Sequence, residues 1–230
     1  MKLLSEDDIY TIDGDSSSDL EKNEEETDGD DSESEKEESE KIQGEEKVSS
    51  KDKGEQEKSV VEKLFPGQKR HSPSTFKIDY DETKENIVLE KEYDLPLGLL
   101  YEIFFGKDIS FHKNMMVLND GLNFTEYTGL SNEGEERTFE YDKKLNYPIG
   151  PSSTRVYCTE RVQHMDFQDY VEILNISKTP NVPSGTAFDC RTRYLFTWAE
   201  QNRSKLIISF KLEWTGGSWF KGIIESSALS

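Results

Sequence analysis

Three histidines, two cysteines and one run of closely spaced acids are the residues of this chain whose types could do chemistry. A hydrolase or transferase would need His71, His112 or His164 beside a nucleophile and a third group that orients it, and a metal site would need several such residues at ligand spacing. His71 stands in a Pro/Ser segment, His112 in a helical stretch and His164 at the end of a strand-like run. No nucleophile motif or ligand spacing surrounds any of them, so neither catalysis nor a metal or other cofactor is expected. Cys158 and Cys190 fall on strand-like runs in a chain whose start, MKLLSEDDIYTIDGD, has no apolar signal core. Reduced, buried thiols are therefore expected in place of a disulfide. Asp13, Asp15, Ser17, Asp19 and Glu24 approach the spacing of a calcium loop, but Ser18 stands where that loop needs glycine and no helical pattern flanks it.

Charge divides the chain. Residues 1–62 carry 24 acidic and 8 basic side chains, a net of −16 out of the −20 of the whole, which leaves −4 for the rest. With almost no aromatic or branched apolar residues, this segment cannot bury enough surface to offset its ordering entropy and is expected to be disordered. The segment FPGQKRHSPSTF that follows reads as a linker, which puts the tail and linker at 1–84 and a single domain at 85–230. An acidic chain of this kind argues against nucleic acid as a partner, because phosphate contacts need clustered Lys and Arg. The longest apolar-rich run, Leu95–Gly106, is too short to span a bilayer, so the chain reads as soluble or peripheral.

The domain's pattern begins at Asn86. Ile87, Leu89 and Tyr93 alternate with polar residues as in a strand, and Leu97, Leu100, Tyr101, Phe104 and Phe105 recur at helical spacing between Pro96 and Gly106. A second short helix is expected over Ser110 to Val117. Strands are expected at Phe124–Leu130, Arg137–Leu145, Thr154–His164, Tyr170–Thr179, Thr186–Ala199 and Lys205–Thr215, and a helix from Ser218 to Ala228. In the last two strands Phe188, Cys190, Tyr194, Phe196 and Trp198, then Leu206, Ile208, Phe210, Leu212 and Trp214, share one face, as antiparallel strands over a core require. The order strand, two helices, six strands, helix is α+β.

Several short motifs stand in sequence along this frame: Lys143–Lys144–Leu145–Asn146, Ile149–Gly150–Pro151, His164–Met165–Asp166, Lys178–Thr179–Pro180 with Val182–Pro183–Ser184–Gly185, and Trp214 with Phe220–Lys221–Gly222. Their order and spacing resemble the StART-like (VASt) domain of the yeast membrane-anchored sterol-transfer proteins, which work at contacts between the endoplasmic reticulum and other membranes. The resemblance covers roughly residues 85–228. It implies a helix-grip fold, a curved antiparallel sheet around a C-terminal helix, with a non-enzymatic role in binding a sterol and moving it between membranes.

It also implies a site. The apolar pocket is expected to be walled by Phe104, Tyr157, Gln163, Tyr194, Phe196, Phe210 and Trp214, of which Tyr157, Gln163 and Tyr194 are the candidate polar contacts. Pro148, Ile149, Gly150, Pro151 and Ser152 would form a lid loop at its mouth. Several relatives carry Lys directly after the Gly–Pro pair, where this chain has Ser152, so a pull on anionic membrane from this loop is in doubt. The implied partners are a sterol and membrane surfaces, on the cytoplasmic side of intracellular membranes at endoplasmic-reticulum contacts. Relatives generally add an upstream GRAM domain and a transmembrane anchor, neither of which this chain carries; a fragment, a truncated product and a diverged paralogue are all compatible with that. An interaction or regulatory protein that no longer transfers lipid, with the acidic tail recruiting partners, is the alternative. The short C-terminal helix is expected to leave part of the concave face uncovered.

Overall fold

The computed structural model describes residues 68–145 and 151–228, all within one compact unit. The acidic tail expected over residues 1–62, and most of the expected lid, lie outside the described residues. Seven antiparallel strands form one sheet, in the order β1-β7-β6-β5-β4-β3-β2. They are β1 (Asn86–Tyr93), β2 (Gly121–Leu122), β3 (Glu136–Lys144), β4 (Ser153–Met165), β5 (Tyr170–Lys178), β6 (Phe188–Trp198) and β7 (Ser204–Trp214). A helical turn, α1 (Tyr80–Thr83), precedes β1. Helices α2 (Leu97–Phe105) and α3 (Ser110–Leu118) follow it, and α4 (Lys221–Ala228) follows β7. This is the helix-grip arrangement.

The two-residue period explains why the sheet has one apolar side. On β6 and β7 the register sets Phe188 opposite Trp214, Cys190 opposite Leu212, Thr192 opposite Phe210, Tyr194 opposite Ile208 and Phe196 opposite Leu206. All ten side chains therefore point to the concave face. The intervening residues point outward and pair by charge: Arg193 bonds both Glu85 and Glu172, Ser209 donates to Glu85 at 2.6 Å, and Arg191 bonds Glu213.

Helix α2 fills one end of that concave face. Its Leu97, Leu100, Tyr101, Phe104 and Phe105 are all buried, against Val162, Val171, Ile173, Phe196, Trp198, Leu206 and Ile208 of the sheet. Each such side chain contributes about 1.5–3 kcal/mol on full burial, so this cluster is where the fold is held. Tyr101 keeps its hydroxyl satisfied by donating to the Leu130 carbonyl at 3.0 Å.

Three expectations need correction. Residues 124–130 are not a strand, although their composition is strand-like. The segment touches β3 through Thr125, whose N–H reaches the Glu140 carbonyl at 2.9 Å, and then crosses to the end of α2, where Leu130 N–H donates to Phe105 O at 2.8 Å. At that crossing a Cβ on Gly129 would lie 2.1 Å from the Gly106 carbonyl oxygen, so only glycine permits the approach. The segment from residue 68 to 84 is not a linker free of the domain. The Ser74 hydroxyl accepts from Trp198 N–H at 2.9 Å and donates to the Asp169 carbonyl, while His71 stacks on Trp198 and Phe76 on Tyr170, with centroids 4.0 and 3.8 Å apart. Finally, α4 begins at Lys221, three residues later than expected, after a turn in which Ser218 Oγ accepts from Phe220 N–H at 3.0 Å.

Candidate ligand chamber on the concave face

Reading across the sheet row by row divides its concave side in two. The packed half contains the row Val162, Ile173, Tyr194, Ile208 and Leu89, under α2. Next comes a polar row: Arg137 opposite Glu160, Glu160 opposite Asn175, and Asn175 opposite Thr192. Beyond it lies Phe139, Cys158, Ser177, Cys190 and Leu212, then Tyr141 beside Val156 and Phe188 beside Trp214. From Thr192 to Phe188 this second half runs about 13 Å at about 3.3 Å per residue. Here α2 no longer covers the sheet. Cys190, Phe210, Leu212 and Trp214 are only half-buried.

The polar row is tied together by buried hydrogen bonds. Glu160 is 1% exposed and accepts from Arg137 Nε at 2.6 Å and from Asn175 Nδ2 at 2.9 Å, with His112 Nε2 of α3 at 3.3 Å. Burial by itself raises a carboxyl's pKa, but the His112 and Arg137 side chains and the Asn175 amide outweigh it and hold Glu160 at about 2. His112 Nδ1 in turn meets the Tyr127 hydroxyl at 2.9 Å, and Arg137 Nη1 donates to the Thr128 carbonyl at 2.7 Å. A buried carboxylate in an otherwise apolar sheet is thus matched by charge and hydrogen bonds on the α3 side.

On the chamber side the walls are neutral. Burial pushes the Cys158 thiol up to about 12 and the Cys190 thiol up to about 11, so both stay protonated, and neither is in a disulfide. The Tyr141 and Tyr194 phenols are likewise raised above their ordinary range by burial. Helix α4 closes part of the opening: Trp214 Nε1 donates to Glu225 at 3.0 Å, Lys221 sits 5.4 Å from the Trp214 ring centre, and Trp214 packs on Phe188 at 5.0 Å. At the same end of the sheet the β3–β4 connection is pinned at its base, where Leu145 N–H donates to Ser152 O at 2.9 Å. Trp219, Phe220 and Ile223 before and on α4, and Val117, Leu118 and Leu122 at the end of α3 and on β2, are exposed.

The expected wall residues separate into three groups. Tyr194, Phe210 and Trp214 lie on the concave face and border the open half. Phe104 and Phe196 are on the same side but sit inside the packed core, their rings 5.9 Å apart, so they back the site instead of lining it. Tyr157 and Gln163 do not join it. Tyr157 is one residue out of phase with buried Val156 and Cys158 and points outward, where it borders a surface cleft of about 330 Å³ with Lys178, Asp189 and Thr215. Gln163 is exposed at a register shift in β4 between Val162 and His164. Of the expected lid residues, Pro151 and Ser152 are exposed at the base of the β3–β4 connection, and Pro148, Ile149 and Gly150 lie outside the described residues. Glu160, Asn175, Ser177 and Thr192 were not anticipated. The available signal was their phase, since each occupies an inward position of its strand.

Comparison with known families decides what this geometry is. Residues 87–230 match the VASt model, described as the VAD1 analog of StAR-related lipid transfer domain. The chain belongs to the VASt family. The VASt match takes in every element from β1 to α4 and so covers both halves of the concave face. Among curated relatives, the membrane-anchored lipid-binding protein LAM5 of Saccharomyces cerevisiae is 34% identical over 169 residues, 70% of this chain and 25% of that protein. An uncharacterized membrane protein of Schizosaccharomyces pombe is 42% identical over 93 residues, 39% of this chain and 12% of that protein. The chain therefore spans a quarter or less of the length of these relatives. A solved structure, the Mll3558 protein from Rhizobium loti, aligns at 13% identity with a TM-score of 0.38, over 63% of this chain and 90% of that one. Membership of a lipid-binding family fits a concave face whose part-buried apolar residues lie beyond the buried polar row. Among the described residues no cluster of three or more His, Cys, Asp or Glu could hold a metal, and no helix is long and apolar enough to cross a membrane.

Proposed function

We propose that this VASt domain binds a sterol in the open half of the concave face and carries it between membranes, without catalysing a reaction. The observation that carries the proposal is the distribution of polarity. Walls of Phe188, Val156, Leu212, Trp214 and two neutral thiols lead inward to a single row of hydrogen-bonding groups. That pattern suits a rigid apolar body with one hydroxyl at its tip. Burial of the apolar body supplies most of the affinity, and the polar row fixes which end enters first.

The exposed apolar residues at this end give the domain a surface for peripheral contact with a bilayer, and the loop over residues 148–152 acts as the lid that opens there. The work site is the cytoplasmic side of intracellular membranes, at endoplasmic-reticulum contacts. The test is uptake of a fluorescent sterol by the purified chain, followed by vesicle-to-vesicle transfer. Saturable uptake and accelerated transfer are expected. Absence of both would leave a lipid-binding fold with another ligand or an interaction role.

A further inference from the structure

We infer that the inner end of the chamber favours a ligand that donates a hydrogen bond, so that it prefers a free sterol alcohol over the corresponding ketone, and that Ser177 is the residue that sets this preference. The inference rests on the sterol reading above and narrows its ligand class. It follows from the direction in which hydrogen bonds run along the polar row. Glu160, held ionised at about 2, can only accept. Facing Asn175 at 2.9 Å, it fixes the amide with its NH2 toward the carboxylate and its oxygen turned away. That oxygen accepts from Ser177 Oγ at 2.8 Å. The Ser177 proton is thereby committed inward.

What half-buried Ser177 presents to the chamber is therefore lone pairs. Its neighbour across β4 is Cys158, whose protonated thiol is a weak donor close to both Ser177 and Asn175 and can occupy at most one of those lone pairs. The other remains for the ligand. Thr192 and Tyr194, which also border this end, carry hydroxyls that turn to donate or accept and so do not discriminate between an alcohol and a ketone. Ser177 does discriminate. A hydroxyl gains a bond with it, while a carbonyl oxygen faces it lone pair to lone pair. Charge on Glu160 is thus read two side chains away as a requirement on the ligand.

The pair 5α-cholestan-3β-ol and 5α-cholestan-3-one shares one saturated skeleton and isolates the effect. Each is used to displace a fluorescent sterol alcohol, dehydroergosterol, from the purified chain. The alcohol is expected to bind about tenfold more tightly than the ketone, the scale of one hydrogen bond gained against one acceptor left opposed. Ser177→Ala removes both the bond and the opposed lone pair, so it should weaken the alcohol and modestly strengthen the ketone, bringing the ratio close to one. Asn175→Ala releases the Ser177 proton to rotate, and should instead raise ketone affinity toward that of the alcohol; circular dichroism checks that each variant is folded. Equal binding of alcohol and ketone by the unaltered chain, or an unchanged ratio in folded Ser177→Ala, overturns this inference and leaves the sterol reading standing. Failure of dehydroergosterol to bind at all overturns both.

Discussion

The two halves of the concave face are built from the same strands, yet they differ in what covers them. In the packed half α2 brings Leu97, Leu100, Tyr101, Phe104 and Phe105 down on β4 to β7, and Phe196, Val171, Ile173 and Leu206 have no exposed surface at all. In the open half the same strands continue with Cys190, Phe210, Leu212 and Trp214, which keep part of their surface accessible because α4 reaches them with a single turn or two. The first arrangement contributes stability and the second contributes capacity. Between them stands the Arg137–Glu160–Asn175 row, which belongs to both: it is buried enough to be a structural liability if broken, and through Ser177 it sets the polar end of the open half.

The largest expected effect breaks the packed half. Phe196→Asp places an unpaired carboxylate in the core at a cost of several kcal/mol and should leave no cooperative unfolding transition by circular dichroism. The same substitution at Phe210, in the open half, should abolish sterol uptake while a cooperative transition remains. If both variants unfold alike, the division into halves is wrong.

Next in size is the row itself. Glu160→Leu leaves Arg137 buried without its carboxylate, and a loss of about 3–5 kcal/mol in unfolding free energy is expected. A double variant, Glu160→Leu with Arg137→Met, should recover much of that loss, which denaturant titration of the three proteins would show. Recovery would establish that the damage comes from an orphaned charge and not from lost packing.

Acid should reveal the same carboxylate. The folded-state value of about 2 lies below the ordinary 4.5, so Glu160 contributes stability that is present above about 4.5 and lost as pH falls toward about 2. Melting temperature should therefore drop across that window, and the drop should be shallower in Glu160→Gln. An identical pH profile for the two proteins would remove Glu160 from the account. The smallest effect belongs to the N-terminal strap: Ser74→Ala deprives Trp198 N–H of its acceptor and should cost about 1–2 kcal/mol, with sterol affinity unchanged.

Much of the frame was legible because its strands alternate cleanly. Asp189, Arg191 and Arg193 between Phe188, Cys190 and Tyr194 allow one register only, and the spacing from Leu97 to Phe105 admits only a helix with one apolar face. The strap was not legible. Its Pro and Ser residues read as a linker, and what docks them is a stacking of His71 on Trp198 and a bond from Trp198 N–H to Ser74 across 124 residues, which no local pattern encodes. Residues 124–130 misled for the opposite reason, since a strand-like composition was overridden by the close crossing at Gly129. Tyr157 was drawn into the expected site by its chemistry and excluded from it by its phase. Glu160 was passed over because a lone acid in a strand reads as a solvent-facing residue until Arg137, His112 and Asn175 are seen around it.

The strap also fixes which end of the sheet the chain from residue 68 onward is docked on. From Lys69 to Ser74 its contacts are with Gln168 and Asp169 at the β4–β5 turn and with Trp198 and Asn202 at the β6–β7 turn, at the end of the sheet away from the mouth. Ten residue steps along β6 separate Trp198 from Phe188, about 33 Å at about 3.3 Å each. Salt screens charge over about 8 Å at physiological ionic strength, so the docked Lys69–Ser74 segment stands several screening lengths from the surface proposed to meet a bilayer. An anionic membrane approached mouth-first would thus meet exposed tryptophan, phenylalanine and isoleucine, with the docked strap at the opposite end of the sheet.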